Sequence, residues 1–495
     1  MLIWFLPLFL AVLMIGMPVV FALLAAPGIM LWASGAERDI TLMYRNVYNG
    51  MDSFPLMALP FFMLAGEVMN RGGITERIVE FSQAFMGHLR GGLAHVNILS
   101  SILFAGLSGS AVADTSALGS TLIPAMERNG YTRRFAAAIT AASSVIGPII
   151  PPSGIMIIYA YVMGESVAAL FLAGIVPGVL VGVGLMVMVR LLADRYDLPK
   201  AERIVAKARE MGATEYWVSF LLLRVNLAFV LYLVARAALL AAGSSLDVNL
   251  WLALALFALP AHLILLRYRR AVGHDFRLVC KRAVAPLQTP VIILGGILAG
   301  VFTPTEASAI AVAYALVVSF FVLRSMTVGD LSGVLARSAM ASAAVLLLVG
   351  AAVAFKTVVS LSHAPEAMSA FILGLSDNPL TLLFLINVLL FVVGMFLDAG
   401  PAIIILGPIL GPVFVDLGVH PVHFAIIMSV NLTVGLATPP MGLVLFVAST
   451  VSGEKVETIS KAILPFLAVE VVVIFLITYV PAISMTVPRL AGFVQ

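Results

Sequence analysis

Charge is scarce in this 495-residue sequence: Asp, Glu, Lys and Arg make up 11% of it, and hydrophobic residues 62%. A chain so poor in charge cannot clothe a soluble surface, so it reads as a polytopic membrane protein. Cysteine is nearly missing. Cys280 stands alone, which excludes an internal disulfide framework and any Cys-rich metal site. There is no HExxH, Walker loop or GxSxG, so the commonest signatures of zinc proteases, NTPases and serine hydrolases are absent. No Lys or Arg precedes Arg38. The apolar N-terminus therefore lacks the positive region of a signal peptide and reads as a retained span. The sequence pI near 9.0 raises the question of nucleic acid. The basic residues, however, sit in short loops between apolar segments, which is the positive-inside pattern and argues against a nucleic-acid partner.

What the sequence does have is a pair of interrupted hydrophobic stretches. Gly106-Leu107-Ser108-Gly109-Ser110 opens the first, and Gly147-Pro148-Ile149-Ile150-Pro151-Pro152-Ser153 closes it. Adding 288 to each number gives the second, which opens at Gly394 and closes at Gly435–Pro440. Gly106, Gly119, Pro124, Gly147, Pro151 and Pro152 all map onto the same residue type without a gap. Unwound backbone at membrane depth is tolerated only inside protein or beside a water-filled cavity. Paired interruptions in two halves point to a transporter's binding site.

In chain order, residues 1–16 and 18–34 read as two spans, followed by a mildly charged loop and a third span at 55–70. An amphipathic stretch at 74–90 lies along the interface. Residues 93–126 are too long for one ordinary span, and they carry Ser108-Gly109-Ser110 near the middle. They read as a re-entrant hairpin with both ends cytoplasmic. Residues 135–162 form a span broken at 147–152, and 168–190 return. The second half repeats this plan upside down. Spans at 286–302, 306–323 and 339–361 precede an amphipathic stretch at 364–376. A hairpin at 379–418, a broken span at 421–450 and a last span at 461–482 complete the repeat. Between the halves, 195–215 reads as a charged helix. Two further apolar segments, 217–242 and 248–266, and a basic loop at 267–282 follow. This gives twelve spans and two hairpins, with both termini outside. Arg38, Arg45 and Arg489 are then the basic residues on the outer side, Arg224, Arg236 and Lys356 fall within spans, and the rest are cytoplasmic.

A broken helix leaves carbonyls free at one half-helix end and N–H groups at the other. Carbonyls with Ser, Thr and Asn oxygens make a cage for a hard cation such as sodium, and the N–H ends attract carboxylates. The first cage combines Ser108, Ser110, Ser143, Ser144 and Gly147. The second combines Gly394, Asp398, Asn431, Thr433 and Thr438. Ser and Thr in membrane helices also commonly bond back to a carbonyl one turn earlier, which is the plainer role for Ser143 or Thr433. Asp398 is the sharpest candidate, because an intramembrane carboxylate is costly to keep. Asp114 reads as a cap or pair, Glu470 as a contact to a neighbouring subunit or helix, and Lys356 as a snorkelling residue that a substrate carboxylate could use. His363 and His420 read as loop residues, and Glu306 as a first-turn helix residue.

The segment GLSGSAVADTSALGSTLIPAMERNGYTRRFAAAITAASSVIGPIIPPSG resembles the large membrane subunit of tripartite ATP-independent periplasmic (TRAP) transporters. FPLMALPFFMLAGEVMNRGG, VIILGGILAGVFTPTEASAIAVAYAL and VNLTVGLATPPMGLVLFVAS resemble it too. The resemblance covers nearly everything except about 198–284. It implies an all-α inverted-repeat fold of the elevator type, with no cofactor beyond coupling sodium ions. It also implies a small four-span membrane subunit, a periplasmic solute-binding protein, a small organic-acid substrate and a place in the bacterial inner membrane. Ser108, Ser153 and Asp398 fall where the family's substrate or cation region lies, and Asn431 is expected to join them at the substrate. The implied units are scaffold spans and arm 1–92, transport half 93–163, connecting span 164–197 and insertion 198–284. Scaffold and second arm 285–376, transport half 377–452 and a last span with a C-terminal tail 453–495 follow. A stand-alone sodium–carboxylate symporter is the runner-up. An intramembrane enzyme would need acids, His or a metal set clustered at one depth, and the sequence offers only scattered ones.

Overall fold

The computed structural model describes residues 5–33, 35, 37–199, 211–241, 250–298, 300–361, 370–372, 374–376 and 378–494. Helices dominate, as the hydropathy pattern demands where backbone groups must be satisfied within each segment. The first half holds α1 (Phe5–Met14), α2 (Val19–Ala33), α3 (Glu37–Met51), α4 (Ala58–Arg71) and α5 (Ile74–Met86). It continues with α6 (Gly92–Ser108), α7 (Ala111–Arg128), α8 (Arg133–Ser144), α9 (Gly154–Met163) and α10 (Val167–Leu192). The insertion contributes α11 (Ala213–Ala241) and α12 (Leu250–Ala271). The second half holds α13 (His274–Leu298), α14 (Pro304–Val317), α15 (Val328–Leu361), α16 (Pro379–Phe396) and α17 (Ala399–Asp416). The last elements are α18 (Pro421–Gly435), α19 (Leu443–Ser452), α20 (Val456–Tyr479) and α21 (Ala482–Leu490).

The 288-residue register survives folding. Shifted by 288, α7 falls on the bounds of α17, and α6, α9 and α10 fall within a residue of α16, α19 and α20. Each hairpin turns over a two-residue break, at Gly109-Ser110 and at Leu397-Asp398. Each broken span is interrupted once, over 145–153 and over 436–442. The Pro151-Pro152 and Pro439-Pro440 bonds are both cis.

Several expectations change. The loop before the third span is helical. Its α3 face buries Met43 against α15, and the helix bends by 57° into the segment 55–71. The basic loop at 267–282 shrinks to a turn, because α12 runs on to Ala271 and α13 starts at His274. Lys and Arg are good helix formers, so charge alone does not make a loop. The span expected at 339–361 starts at Val328. The C-terminal tail contains α21, which packs on α10. Among the described residues, nine helices are long and apolar enough to cross a membrane singly. Two of the nine, α16 and α17, are limbs of the second hairpin; the other seven fall short of twelve because the two broken spans are split into shorter half-helices and because α1, α2 and α4 run 10, 15 and 14 residues. A lone crossing needs about 20 residues. The 364–376 stretch and His363 lie largely or wholly outside the described residues, as does most of the expected helix at 195–215.

One helix face decides how the first break is held. Along α10, Gly174, Gly178 and Gly182 recur every fourth residue. A Cβ on Gly174 would lie 2.3 Å from the Ile149 carbonyl, and one on Gly178 2.3 Å from the Ile150 side chain. Small residues at this spacing let the unwound backbone nest against the helix.

Candidate functional site

At the first break α8 ends in a tight turn. Ile146 and Gly147 donate to the carbonyls of Ser143 and Ser144, at 3.2 and 3.1 Å. The hairpin tip lies directly on the unwound segment. Gly109, at φ +59°, approaches so closely that a Cβ there would sit 2.7 Å from the Pro152 carbonyl. Only glycine serves at such a left-handed, crowded position. Ser110 caps α7, its Oγ accepting from the Ala113 amide at 3.4 Å. Ser153 caps α9, accepting from the Met156 amide at 3.3 Å and donating to the Pro148 carbonyl at 2.5 Å.

The residue that closes this site is Asp114. It is fully buried. Its Oδ1 accepts a hydrogen bond from the Ser108 hydroxyl, and its Oδ2 has no partner. That free oxygen faces Gly147, where a Cβ would stand 2.3 Å from it. The structure thus brings Ser108, Asp114 and Gly147 together. Ser143 turns to the side of the tip: it donates to Asn97 Oδ1 at 3.1 Å and receives Ser101 at 3.0 Å, while Asn97 donates to Thr140 at 2.6 Å. Ser144 bonds back to the Thr140 carbonyl at 2.7 Å.

The second break is packed backbone to backbone. A Cβ on Gly435 would lie 2.5 Å from the Cα of Gly394, and one on Gly394 would lie 2.8 Å from the Leu432 carbonyl. Past Gly435 the chain turns through three successive bonds, from Leu436 to Thr433, Ala437 to Val434 and Thr438 to Gly435. Asn431 donates to Asn387 Oδ1 at 2.6 Å and to the Ile427 carbonyl at 2.8 Å. Its own Oδ1 is buried without a partner. Thr478 of α20 also donates to Asn387 Oδ1, at 3.1 Å. Thr433 and Thr438 bond back to the Ser429 and Val434 carbonyls, at 2.6 and 2.9 Å. Asp398 caps α17, accepting from Ala399 N at 2.8 Å, with its side chain exposed at the tip.

Lys356 departs from its expected role, whereas Glu470, buried against neighbouring helices, and His420, in the loop before α18, keep theirs. Lys356 does not snorkel outward: half-buried, it donates to the Val162 carbonyl at the end of α9 at 2.5 Å. Glu470 is fully buried within the chain itself. His420 caps α18, its Nδ1 accepting from the Val422 amide at 3.2 Å. Glu306 behaves as expected, forming a reciprocal cap with Thr303. Asn97, Asn387 and the closing role of Asp114 were missed in the sequence. Asn97 and Asn387 sit two positions out of the 288 register, and the mate of Asp114 is Ala402.

Two hairpins laid on two broken spans, with unpartnered buried oxygens at each break, define an intramembrane transport protein. The comparisons make this specific. The family described as "Tripartite ATP-independent periplasmic transporter, DctM component" matches residues 6–483, and the chain belongs to it. It is similar to the isethionate TRAP transporter permease protein DctMQ of Oleidesulfovibrio alaskensis, at 36% identity over 96% of this chain and 64% of that longer protein. It is also similar to the sialic acid TRAP transporter large permease protein SiaM of Vibrio cholerae, at 34% identity over 97% of each chain. Among solved structures, the YdaH transporter of Alcanivorax borkumensis shares the fold at TM-score 0.54, with 16% identity over 90% of this chain and 88% of that one. Homologues of this kind are transporter permeases and not enzymes.

Proposed function

We propose that this chain is the permease subunit of a sodium-coupled importer of a small organic acid. In this reading it sits in the inner membrane with both termini outside. It works with a small membrane subunit and a periplasmic binding protein that delivers the substrate. The names of the relatives, an isethionate and a sialic acid transporter, support the acid class. The greater length of the DctMQ protein supports a second membrane part. The hairpins and broken spans, α6–α9 and α16–α19, form a body that moves as an elevator against a scaffold built from α2–α4 and α13–α15.

One observation carries the sodium assignment. Each break holds a buried acceptor oxygen with no donor, Asp114 Oδ2 in the first half and Asn431 Oδ1 in the second. Buried acceptors are normally satisfied. A bound hard cation satisfies them, because sodium takes oxygen ligands and the hydroxyls of Ser108, Ser143, Ser144, Thr433 and Thr438 already donate to other acceptors. The amide ends of α7 and α9, capped by Ser110 and Ser153, offer N–H groups to a substrate carboxylate. Ser108, beside Asp114 and the Ser110 amide, and Asn431, with its free oxygen at the second break, serve cation and substrate.

Uptake in proteoliposomes containing the permease and its partners is expected to require an inward sodium gradient. Equal uptake when choline replaces sodium sinks the assignment. In the same assay Asp398→Asn keeps the cap, since Asn caps as well as Asp, but removes the tip charge. Uptake at limiting sodium is expected to fall severely, with expression and melting temperature unchanged. Unaltered sodium dependence would reduce Asp398 to a helix cap.

A further inference from the structure

Among the described residues Glu470 is, with Asp114, a fully buried carboxylate, and the transport reading above gives it no task. Both of its oxygens lack a hydrogen-bond partner. It lies on α20, nine residues beyond Lys461, about 13 Å of helical rise into the membrane. It occupies the middle of the buried face, among Ile463, Phe466, Ile474 and Ile477. On one side of it Phe466 packs on Phe135 of α8, ring centroids 5.8 Å apart. On the other, Thr478 holds Asn387, the partner of Asn431, and its carbonyl meets His423 Nε2 at 3.2 Å. Glu470 therefore lies between the two broken spans, two helical turns from the polar network of the second break. In the first half the same place is Gly182, packed on Ile102 and Ile146.

We propose that Glu470 is a proton site that competes with the cation position at Asn431. Its neighbours along the buried face of α20 are apolar, and among the described residues no group of three or more His, Cys, Asp or Glu gathers to hold a metal ion. A proton is the one cation that a lone carboxylate binds without further ligands. The helices packed on α20 are α8, α10, α16, α18 and α19. Their titratable groups are Arg133, Arg134, Arg190 and His423. The three arginines are exposed, Arg133 being paired with Glu127, and His423 is held by Ser484 and Thr478. No fixed cation therefore replaces the proton. Sodium arriving at Asn431 adds a positive charge some two helical turns away, and across the low-dielectric interior that charge still favours the ionised carboxylate. The O–H bond of Glu470 then breaks and its proton leaves to water. By reciprocity, protons weaken sodium binding.

This rests on the sodium reading, and the two fail differently. In lipid nanodiscs holding the full chain in weak buffer with a pH dye, a sodium chloride jump is expected to release protons, and a choline chloride jump none. Glu470→Gln, which resembles the neutral acid, is expected to bind sodium and to release clearly fewer protons than the native protein, the remainder coming from Asp114, the other fully buried carboxylate. The sodium midpoint, read from the rise in melting temperature, should weaken several-fold as pH falls in the native protein. A pH-independent midpoint overturns the proposal even if the variant does not fold, and so does equal proton release from the variant. Absence of any sodium-induced rise in melting temperature in the native protein overturns the sodium reading itself, and this proposal with it.

Discussion

Gly435→Ala is expected to disable the protein. The new methyl group would lie 2.5 Å from both Cα and C of Gly394 and 2.9 Å from its oxygen. All of these are backbone atoms, so no rotamer change can relieve the contact. Either the hairpin α16–α17 lifts from the broken span or α18 unwinds further. Overpacking of this kind costs about 1–3 kcal/mol. The cost falls on the geometry that holds the second cation position, so uptake should vanish well before the fold does. Gly295→Ala on α13 is the control, since nothing lies within 4 Å of its would-be Cβ. It should leave uptake unchanged and the melting temperature equal or slightly higher, because Ala favours helix over Gly. If Gly435→Ala transports as well as Gly295→Ala, the two segments separate during transport and the close packing is dispensable.

Asp114→Asn is the second large effect. Asn keeps the size and still accepts from Ser108, but it brings an amide or a neutral oxygen to the place where Oδ2 faces Gly147. If that oxygen ligates sodium, its loss should weaken the sodium midpoint by on the order of 10–100-fold, the range seen when the support of a metal site is removed. Substrate binding to the periplasmic protein should be untouched. Sodium titration of uptake checks this, with the melting temperature as the folding control. A variant with normal sodium affinity would show that Asp114 is a structural partner of Ser108 and that the first cation is held by carbonyls alone. Gly147→Ala offers an independent approach from the other side, because its Cβ would displace the same carboxylate.

These expectations move the emphasis from Asp398, the sharpest candidate in the sequence, to Asp114. An acid in a hydrophobic run looks costly wherever it lies. Whether that cost is met depends on burial, and the structure places Asp398 exposed at a tip and Asp114 wholly inside. Sequence distance hides the reason: Gly147 is far along the chain from Asp114, and only the fold of hairpin onto broken span brings the two together.

The sequence by itself determined the membrane class, the two hairpins, the two broken spans and their repeat. Each follows from local physics: long apolar runs demand helices, and Gly and Pro at fixed spacing interrupt them. The 288-residue register is visible because the breakers must recur wherever backbone is unwound. Helix bounds within charged stretches were less legible, since α3 packs against α15, α13 against α5 and α12 against α11. Only the tertiary structure decided which polar atoms are satisfied. It turned Ser143 into the Asn97 network, Thr433 and Thr438 onto their own helix, and left Asp114 Oδ2, Asn431 Oδ1 and both Glu470 oxygens without donors. Hydrogen-bond satisfaction is a property of neighbours in space, and the neighbours here come from helices far apart in the chain.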